Sequence, residues 1–208
     1  MSLNLDQLKI VGHFKANEVH MIRFKSTEIF ESVKHFHDEI RESHEKAHGK
    51  AYTAQHDAII KYGPECETYR ELGIMQGATA AAAVVAGFKD LHLIDIDLKN
   101  FNEFKPIFER ENIKMKVDGK SSLSYRSEDL PEVDFLLIDS LHVPGHLKQE
   151  LKIHAPRVKK YILFHDTFSK TSLHKEVLFY IKTRPQWEVV EYYEKNVGYT
   201  LIKRISDE

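Results

Sequence analysis

Apolar and polar residues alternate in blocks along this chain, and beyond residue 64 the blocks repeat a strand-then-helix rhythm. Thr68–Gly73 reads as a strand, and a turn at Gly77 leads into the helix-forming run Thr79–Ala86, which Gly87 ends. Leu91–Asp95 reads as a second strand, Lys99–Glu111 as a helix, Ile113–Val117 as a third strand and Val133–Ile138 as a fourth. The fourth is almost wholly apolar, which suits a central parallel strand covered on both faces. A helix over His146–Ile153, a strand over Lys160–Phe164 and a helix over His174–Thr183 follow. Trp187–Tyr193 and Tyr199–Arg204 then pair as a hairpin through Asn196-Val197-Gly198.

This order predicts an α/β fold: a Rossmann-like, doubly wound, mainly parallel seven-stranded sheet with a C-terminal antiparallel hairpin. Ahead of Tyr62-Gly63-Pro64 the pattern differs. Leu8–Phe24 is expected to hold a short strand or two, and Thr27–Lys61 one or two helices, with Gly49 the sole Gly or Pro in that stretch. The expected division is therefore an N-terminal helical or lid extension over residues 1–64 and a ligand-binding domain over residues 65–208.

Composition narrows the function classes. The chain has 208 residues, 42% hydrophobic and 30% charged, which is ordinary for a globular protein. Its 30 basic and 32 acidic side chains nearly cancel, so no overall charge draws it to nucleic acid or to an anionic membrane. Cys66 stands alone, so no intrachain disulfide can form; it reads as a buried apolar residue in a reducing compartment. Met1–Gln7 lacks the pattern of an export signal, and no segment reaches the roughly 18 apolar residues that span a bilayer. A cytoplasmic protein is expected, with no nucleic-acid or membrane partner; the residues do not decide between a monomer and a homo-oligomer.

On an open parallel sheet, ligands bind beyond the carboxyl ends of the strands. Glu71-Leu72-Gly73-Ile74-Met75-Gln76-Gly77-Ala78-Thr79 runs from strand through a glycine turn into a helix, the layout of a nucleotide-type loop, although Gly73 and Gly77 alone do not make the GxGxxG of dinucleotide enzymes. Asp95 ends the second strand, where a carboxylate can accept from both ribose hydroxyls. Asp97 reads more as a helix cap. Asp118–Ser122 is a polar turn that either meets an adenine edge or is simply a surface turn. The fourth strand ends in Asp139-Ser140-Leu141-His142 and the fifth in His165-Asp166, so Asp139, His165 and Asp166 are expected to converge on one rim. Two carboxylates and an imidazole suit a divalent cation, Mg2+, Mn2+ or another transition ion, better than calcium.

The stretch Glu71–Thr79 taken with Leu93-Ile94-Asp95-Ile96-Asp97 resembles the first two motifs of class I S-adenosylmethionine-dependent methyltransferases. The variant is the ELGxxxGxT kind of the catechol, macrocin and sugar O-methyltransferase and cephalosporin hydroxylase-like group. The resemblance covers about Thr68–Arg204. It implies S-adenosyl-L-methionine as cofactor, with Glu71 and Gly73 by its methionine part, Asp95 at the ribose and Ser121 near the adenine, and with Gly77, Thr79 and Asp139 as further cofactor-binding positions. It also aligns Asp139, His165 and Asp166 with the metal-binding acids of those enzymes, except that His165 replaces the first acid of the pair. His142 stands where the catechol-type enzymes carry a lysine base, so His142 and Asp139 are the expected catalytic residues. The implied reaction is methyl transfer to a hydroxyl of a small molecule or sugar. The alternatives are a noncatalytic or regulatory nucleotide-binding module and a metal-dependent hydroxylase or hydrolase.

One rival motif crosses this reading. His44-Glu45-Lys46-Ala47-His48 matches the HExxH of zinc peptidases, in which two imidazoles one helical turn apart bind the ion. A third histidine would be expected at position 54, where Ala54 stands, and Lys46 charges a motif usually flanked by apolar residues. A solvated helix face or lid is the expectation. Tyr52, Tyr62 and Trp187 are candidates for an acceptor pocket, against a role in the core.

Overall fold

The computed structural model describes residues 27–206 and the backbone of residues 8–9 and 23–24. The strands expected within Leu8–Phe24 lie largely outside the described residues, apart from the antiparallel pairing of Leu8 with Phe24 and Lys9 with Arg23.

The N-terminal helical segment is two helices, α1 (Val33–His48) and α2 (Ala54–Tyr62), broken at Gly49. Ser32 caps α1 by accepting from the His35 backbone N–H. Seven strands follow: β1 (Thr68–Leu72), β2 (Asp90–Asp95), β3 (Lys114–Gly119), β4 (Val133–Ile138), β5 (Val158–His165), β6 (Trp187–Tyr193) and β7 (Tyr199–Arg204). They alternate with α3 (Ala78–Ala86), α4 (Lys99–Phe108), α5 (Pro144–His154) and α6 (Thr171–Lys182). Boundaries move where local chemistry outweighs apolar spacing. For example, α5 starts two residues earlier than expected because Pro144 suits the first helical turn.

The sheet order is β3-β2-β1-β4-β5-β7-β6, parallel except for β7, which runs antiparallel to β5 and β6. This is the doubly wound, mainly parallel sheet with a terminal antiparallel hairpin. Period-two side-chain alternation divides the core into two layers. Tyr69, Leu91, Leu93, Phe135, Leu137 and Leu163 face α1, α2, α3 and α4. Leu72, Ile94, Leu136, Ile138, Ile162 and Phe164 face α5 and α6. Ala80–Ala83, fully buried, let α3 lie close to the sheet beneath Phe36 and Ile40 of α1. No helix among the described residues is long and apolar enough to cross a membrane.

One member of the core, Arg70, lies off the apolar pattern, whereas Cys66 is buried as expected. Arg70 is fully buried in β1; its Nη2 donates to the Pro131 carbonyl at 2.7 Å, and burial lowers its pKa to about 10. Cys66 is buried, and burial pushes its thiol up to about 12, which makes it a poor nucleophile.

Strand order reverses between β1 and β4, so the loops leaving these two strands diverge and open a crevice. Register sets its floor. Leu72 pairs with both Ile94 and Ile138, and Ile138 with Phe164. The next residue on each strand, Gly73, Asp95, Asp139 and His165, therefore stands on one rim. Gly73 is at φ 90°, and a Cβ there would collide with the Asp139 carbonyl. Gly87, at φ 102°, has open space around it. Gly73→Ala should therefore lose roughly 2–4 kcal/mol of stability and Gly87→Ala about 1 kcal/mol. Equal losses in urea unfolding would show that the close approach at Gly73 is not a constraint.

Candidate active site

The crevice is a cavity of about 700 Å³, within the size range of small-ligand sites. One side is the loop Gly73–Thr79. Asp95 organises it: its Oδ2 accepts from the Ile74 and Met75 backbone N–H groups at 2.7 and 3.1 Å. These bonds hold Met75 at φ 51°, a conformation unfavourable for a side chain of its size. Asp95 Oδ1 accepts from the Asp97 N–H at 3.0 Å, so the carboxylate, which lines the cavity, keeps about one free lone-pair position, on Oδ1. Asp97 also lines the cavity, and its Oδ1 accepts from the Lys99 N–H at the start of α4.

Glu71 lies behind that loop rather than on the cavity surface. It is fully buried and accepts from the Tyr69 hydroxyl at 2.9 Å and from the Thr79 hydroxyl. Burial raises its pKa to about 8; the two hydrogen bonds hold it down in part, and the Asp139 and Asp95 charges add to the rise. Thr79 lines the cavity, so Glu71 reaches the cavity through it. Gly77 precedes α3 at its N-terminus, and Ser121 uses its hydroxyl to accept from the Leu123 N–H. Neither Gly77 nor Ser121 is among the lining residues.

The other side is the rim at which β4 and β5 end. His165 Nδ1 is 2.9 Å and His142 Nε2 3.2 Å from the same oxygen, Oδ1 of Asp139. Asp166, at φ 59°, brings Oδ2 to 3.4 Å from His142 Nε2 and Oδ1 to 3.5 Å from His165 Nδ1. Burial opposes the charged form of His165, but Asp139 and Asp166 outweigh it and raise the imidazole to about 9. The hydrogen bond to Asp139 raises His142, against burial. Asp139, which burial alone would raise, is held far below the ordinary carboxylate range by the two imidazoles.

One atom each from Asp139, His142 and His165 lie within 4.8 Å of one another, the only such group of three potential ligand residues found among the described residues. The expected set was Asp139, His165 and Asp166; here His142 joins, and Asp166 stands beside it. Two imidazoles and a carboxylate fit a nitrogen-tolerant divalent ion such as Mn2+ better than Mg2+, which prefers oxygen. Both imidazoles must be neutral to serve as ligands, so a cation here would displace protons.

α5 supports this rim from behind through a residue with no sequence signal. Glu150, fully buried, accepts at 2.6 Å from both Ser122, in the turn after β3, and Ser140, next to Asp139. His44, Gln55 and His56 from α1 and α2, and Tyr52 between those helices, form a further wall. Tyr62 instead donates to Glu191, and Trp187 is buried against α6.

His44 and His48 share a helix, but Glu45 is turned away, accepting from Arg41 Nε and the Thr53 hydroxyl at 2.8 Å each.

No protein-family model matches the chain, and no curated protein matches it. Solved structures share its architecture. A protein assigned as a caffeoyl-CoA O-methyltransferase from Staphylococcus aureus superposes with TM-score 0.58 at 11% identity, covering 81% of this chain and 99% of its own. The methyltransferase PaMTH1 of Podospora anserina, solved with S-adenosylhomocysteine, gives 0.59 at 14% identity, over 84% of this chain and 88% of its own. The N-methyltransferase NodS of Bradyrhizobium japonicum gives 0.52 at 13% identity, over 75% and 97%. The chain thus has the fold of class I S-adenosylmethionine-dependent methyltransferases.

Two outcomes follow from this geometry. Glu71 is protonated in the fold at pH values where the unfolded carboxyl, with its ordinary value near 4.5, is already ionised. Its contribution to stability is full below about pH 4.5 and lost as pH rises toward about 8. Glu71→Gln should flatten the unfolding free energy across that window; an unchanged pH profile would mean that Glu71 is ionised in the native state. Because Glu45 is committed elsewhere, His44→Ala and His48→Ala should leave bound zinc unchanged by elemental analysis. Stoichiometric zinc lost in both variants would revive a peptidase-type site.

Proposed function

We propose that the protein is an S-adenosylmethionine-dependent methyltransferase that acts on a hydroxyl of a small molecule, with a divalent cation at the reacting rim. The observation that carries this reading is that Asp139, His142, His165 and Asp166 line the same cavity as the Gly73–Thr79 loop.

The cofactor supplies an electrophilic methyl group on a positively charged sulfur. Asp95, Asp97, Asp139 and Asp166 all line the cavity, and that acidic lining suits a cationic ligand. Asp95 anchors the ribose with the Oδ1 lone pair left after it has fixed the loop, and Ile96, 79% exposed at the strand end, offers an apolar face beside it. Ser121 lies near the adenine in this reading, with Glu71 acting through Thr79. Asp139, with His165, His142 and Asp166, would hold the cation, which lowers the pKa of an acceptor hydroxyl. His142 has a choice of roles: as a ligand it fixes the cation, and as a base it takes the acceptor proton at Nε2. With the cofactor bound, its sulfonium would supply the methyl group to the acceptor oxygen and leave as the neutral thioether, while the acceptor proton would pass to His142 Nε2 where it acts as the base.

Calorimetry tests the cofactor half. S-adenosylhomocysteine should bind while NAD does not, and Asp95→Ala should weaken binding at least about tenfold more than Asp97→Ala, because Asp95 both fixes the loop and faces the ribose. Selective NAD binding, or none of either nucleoside, would defeat the assignment. For the reacting half, His142→Ala should slow methyl transfer roughly 10²- to 10⁴-fold with cofactor affinity retained. Chelation should abolish turnover and Mn2+ restore it. Turnover that ignores chelators would remove the cation and leave His142 as the base. Iron-dependent oxygen uptake without nucleoside binding would point to a hydroxylase.

A further inference from the structure

The wall formed by α1, α2 and their connection faces the acids across the cavity. We propose that this wall binds the acceptor, that Tyr52 donates a hydrogen bond to an oxygen of a polyhydroxylated acceptor, and that the HExxH histidines hold the Tyr52 ring in place. The word acceptor rests on the methyl-transfer reading; the binding surface does not.

Tyr52 follows the break at Gly49, in the turn Lys50–Thr53 that joins the two helices. Its ring lies 4.5 Å, centroid to centroid, from that of His48 and meets the His44 ring edge-on at 5.4 Å. The i, i+4 spacing that suggests a zinc site therefore serves to flank one aromatic ring. Asn196 Nδ2, in the terminal hairpin turn, donates to the His48 carbonyl at 3.2 Å and ties this assembly to the far edge of the sheet.

The Tyr52 ring is held on two sides, while its hydroxyl makes no hydrogen bond to a described residue and Tyr52 lines the cavity. Burial, and then the charges of Asp139 and Asp166, raise the phenol to about 12. It stays protonated, a fixed donor that feels the rim's carboxylates. A donor placed there without a partner among the described residues is suited to a ligand oxygen.

The remaining lining of this half sets the ligand class. Gln55 adds an amide, and His56, whose pKa burial lowers far below the ordinary value, adds a neutral imidazole paired at 3.1 Å with His37. Away from the Gly73–Thr79 loop, Val197 is the sole aliphatic lining residue among those described. Such a wall offers hydrogen bonds and flat ring faces rather than an apolar slot. A ring carrying several hydroxyls meets both.

The test uses the whole protein saturated with S-adenosylhomocysteine, with myo-inositol as the hydroxylated probe and cyclohexanol as the same ring with one hydroxyl. Binding is read by calorimetry and by NMR of ring-labelled tyrosine. Inositol should bind at least about tenfold more tightly than cyclohexanol and shift the Tyr52 resonance. Tyr52→Phe should cost inositol about five- to tenfold in affinity, the scale of one hydrogen bond, and leave S-adenosylhomocysteine affinity within about twofold. His48→Ala should weaken inositol in the same direction, and His48→Phe, which keeps a flat ring but no metal ligand, should restore it. Cyclohexanol binding as tightly, failure of inositol to bind, or an unaffected Tyr52→Phe would overturn the proposal. So would a His48→Phe variant as impaired as His48→Ala, because the imidazole itself would then be required. Failure of the S-adenosylhomocysteine titration counts against the methyl-transfer reading alone, and the probes are then compared on the unliganded protein.

Discussion

The chain leaving β1 passes so close to the backbone of Asp139 that no side chain fits at Gly73. The site depends on this approach. The Asp139 N–H donates to the Leu72 carbonyl at 2.8 Å, and the Gly73 N–H to the Ile94 carbonyl at 2.9 Å, so the ends of β1, β2 and β4 are joined by backbone hydrogen bonds at the point where strand order reverses. The nucleotide-type loop and the rim of Asp139 and His165 thus become two sides of one cavity. A Cβ at position 73 would force these two backbones to shift apart.

Electrostatics then decides what this crowded rim can tolerate. Several carboxyl groups stand where backbone dipoles and water would otherwise solvate them, and each is stabilised differently. Asp95 is ringed by loop N–H groups, Asp139 is flanked by two imidazoles, and Glu71 is held protonated by burial. Glu150 accepts from serines on two separate loops. The result is a site whose acids are placed by the protein's own hydrogen bonds.

The N-terminal helices enter this arrangement through the core. Phe30, Val33, Phe36 and Ile40 share one buried cluster with α3 and α4, so α1 and α2 are fixed against the sheet, and Tyr52 is carried to the cavity as a consequence of that packing. The HExxH segment shows how a local motif loses its usual meaning there. Its spacing does place two imidazoles on one helix face, but Arg41 and Thr53 engage the glutamate and the Tyr52 ring packs against both histidines.

Periodicity alone determined the strand and helix order, the seven-stranded sheet with its terminal hairpin, and the strand ends at which Asp95, Asp139 and His165 stand, because alternation of period two and 3.6 reports local geometry directly. What depends on contacts between distant segments was decided only by the tertiary structure. Glu71 sits in a nucleotide-type motif yet is turned inward to Tyr69 and Thr79, since a strand's alternation fixes which face a residue takes but not what lies on it. His142 approaches both Asp139 and Asp166 because two loops from neighbouring parallel strands meet, a juxtaposition of residues 24 apart in sequence. Gln55, Glu150 and Val197 carry no local signal, and Tyr52 is marked in the sequence only as one of three aromatic pocket candidates; each acquires its place from packing: helices onto the sheet for Tyr52, Gln55 and Glu150, and the hairpin turn folding back over the crevice for Val197. Sequence spacing encodes the conformation of neighbours, whereas a site is a coincidence of surfaces that only burial of the apolar faces brings together.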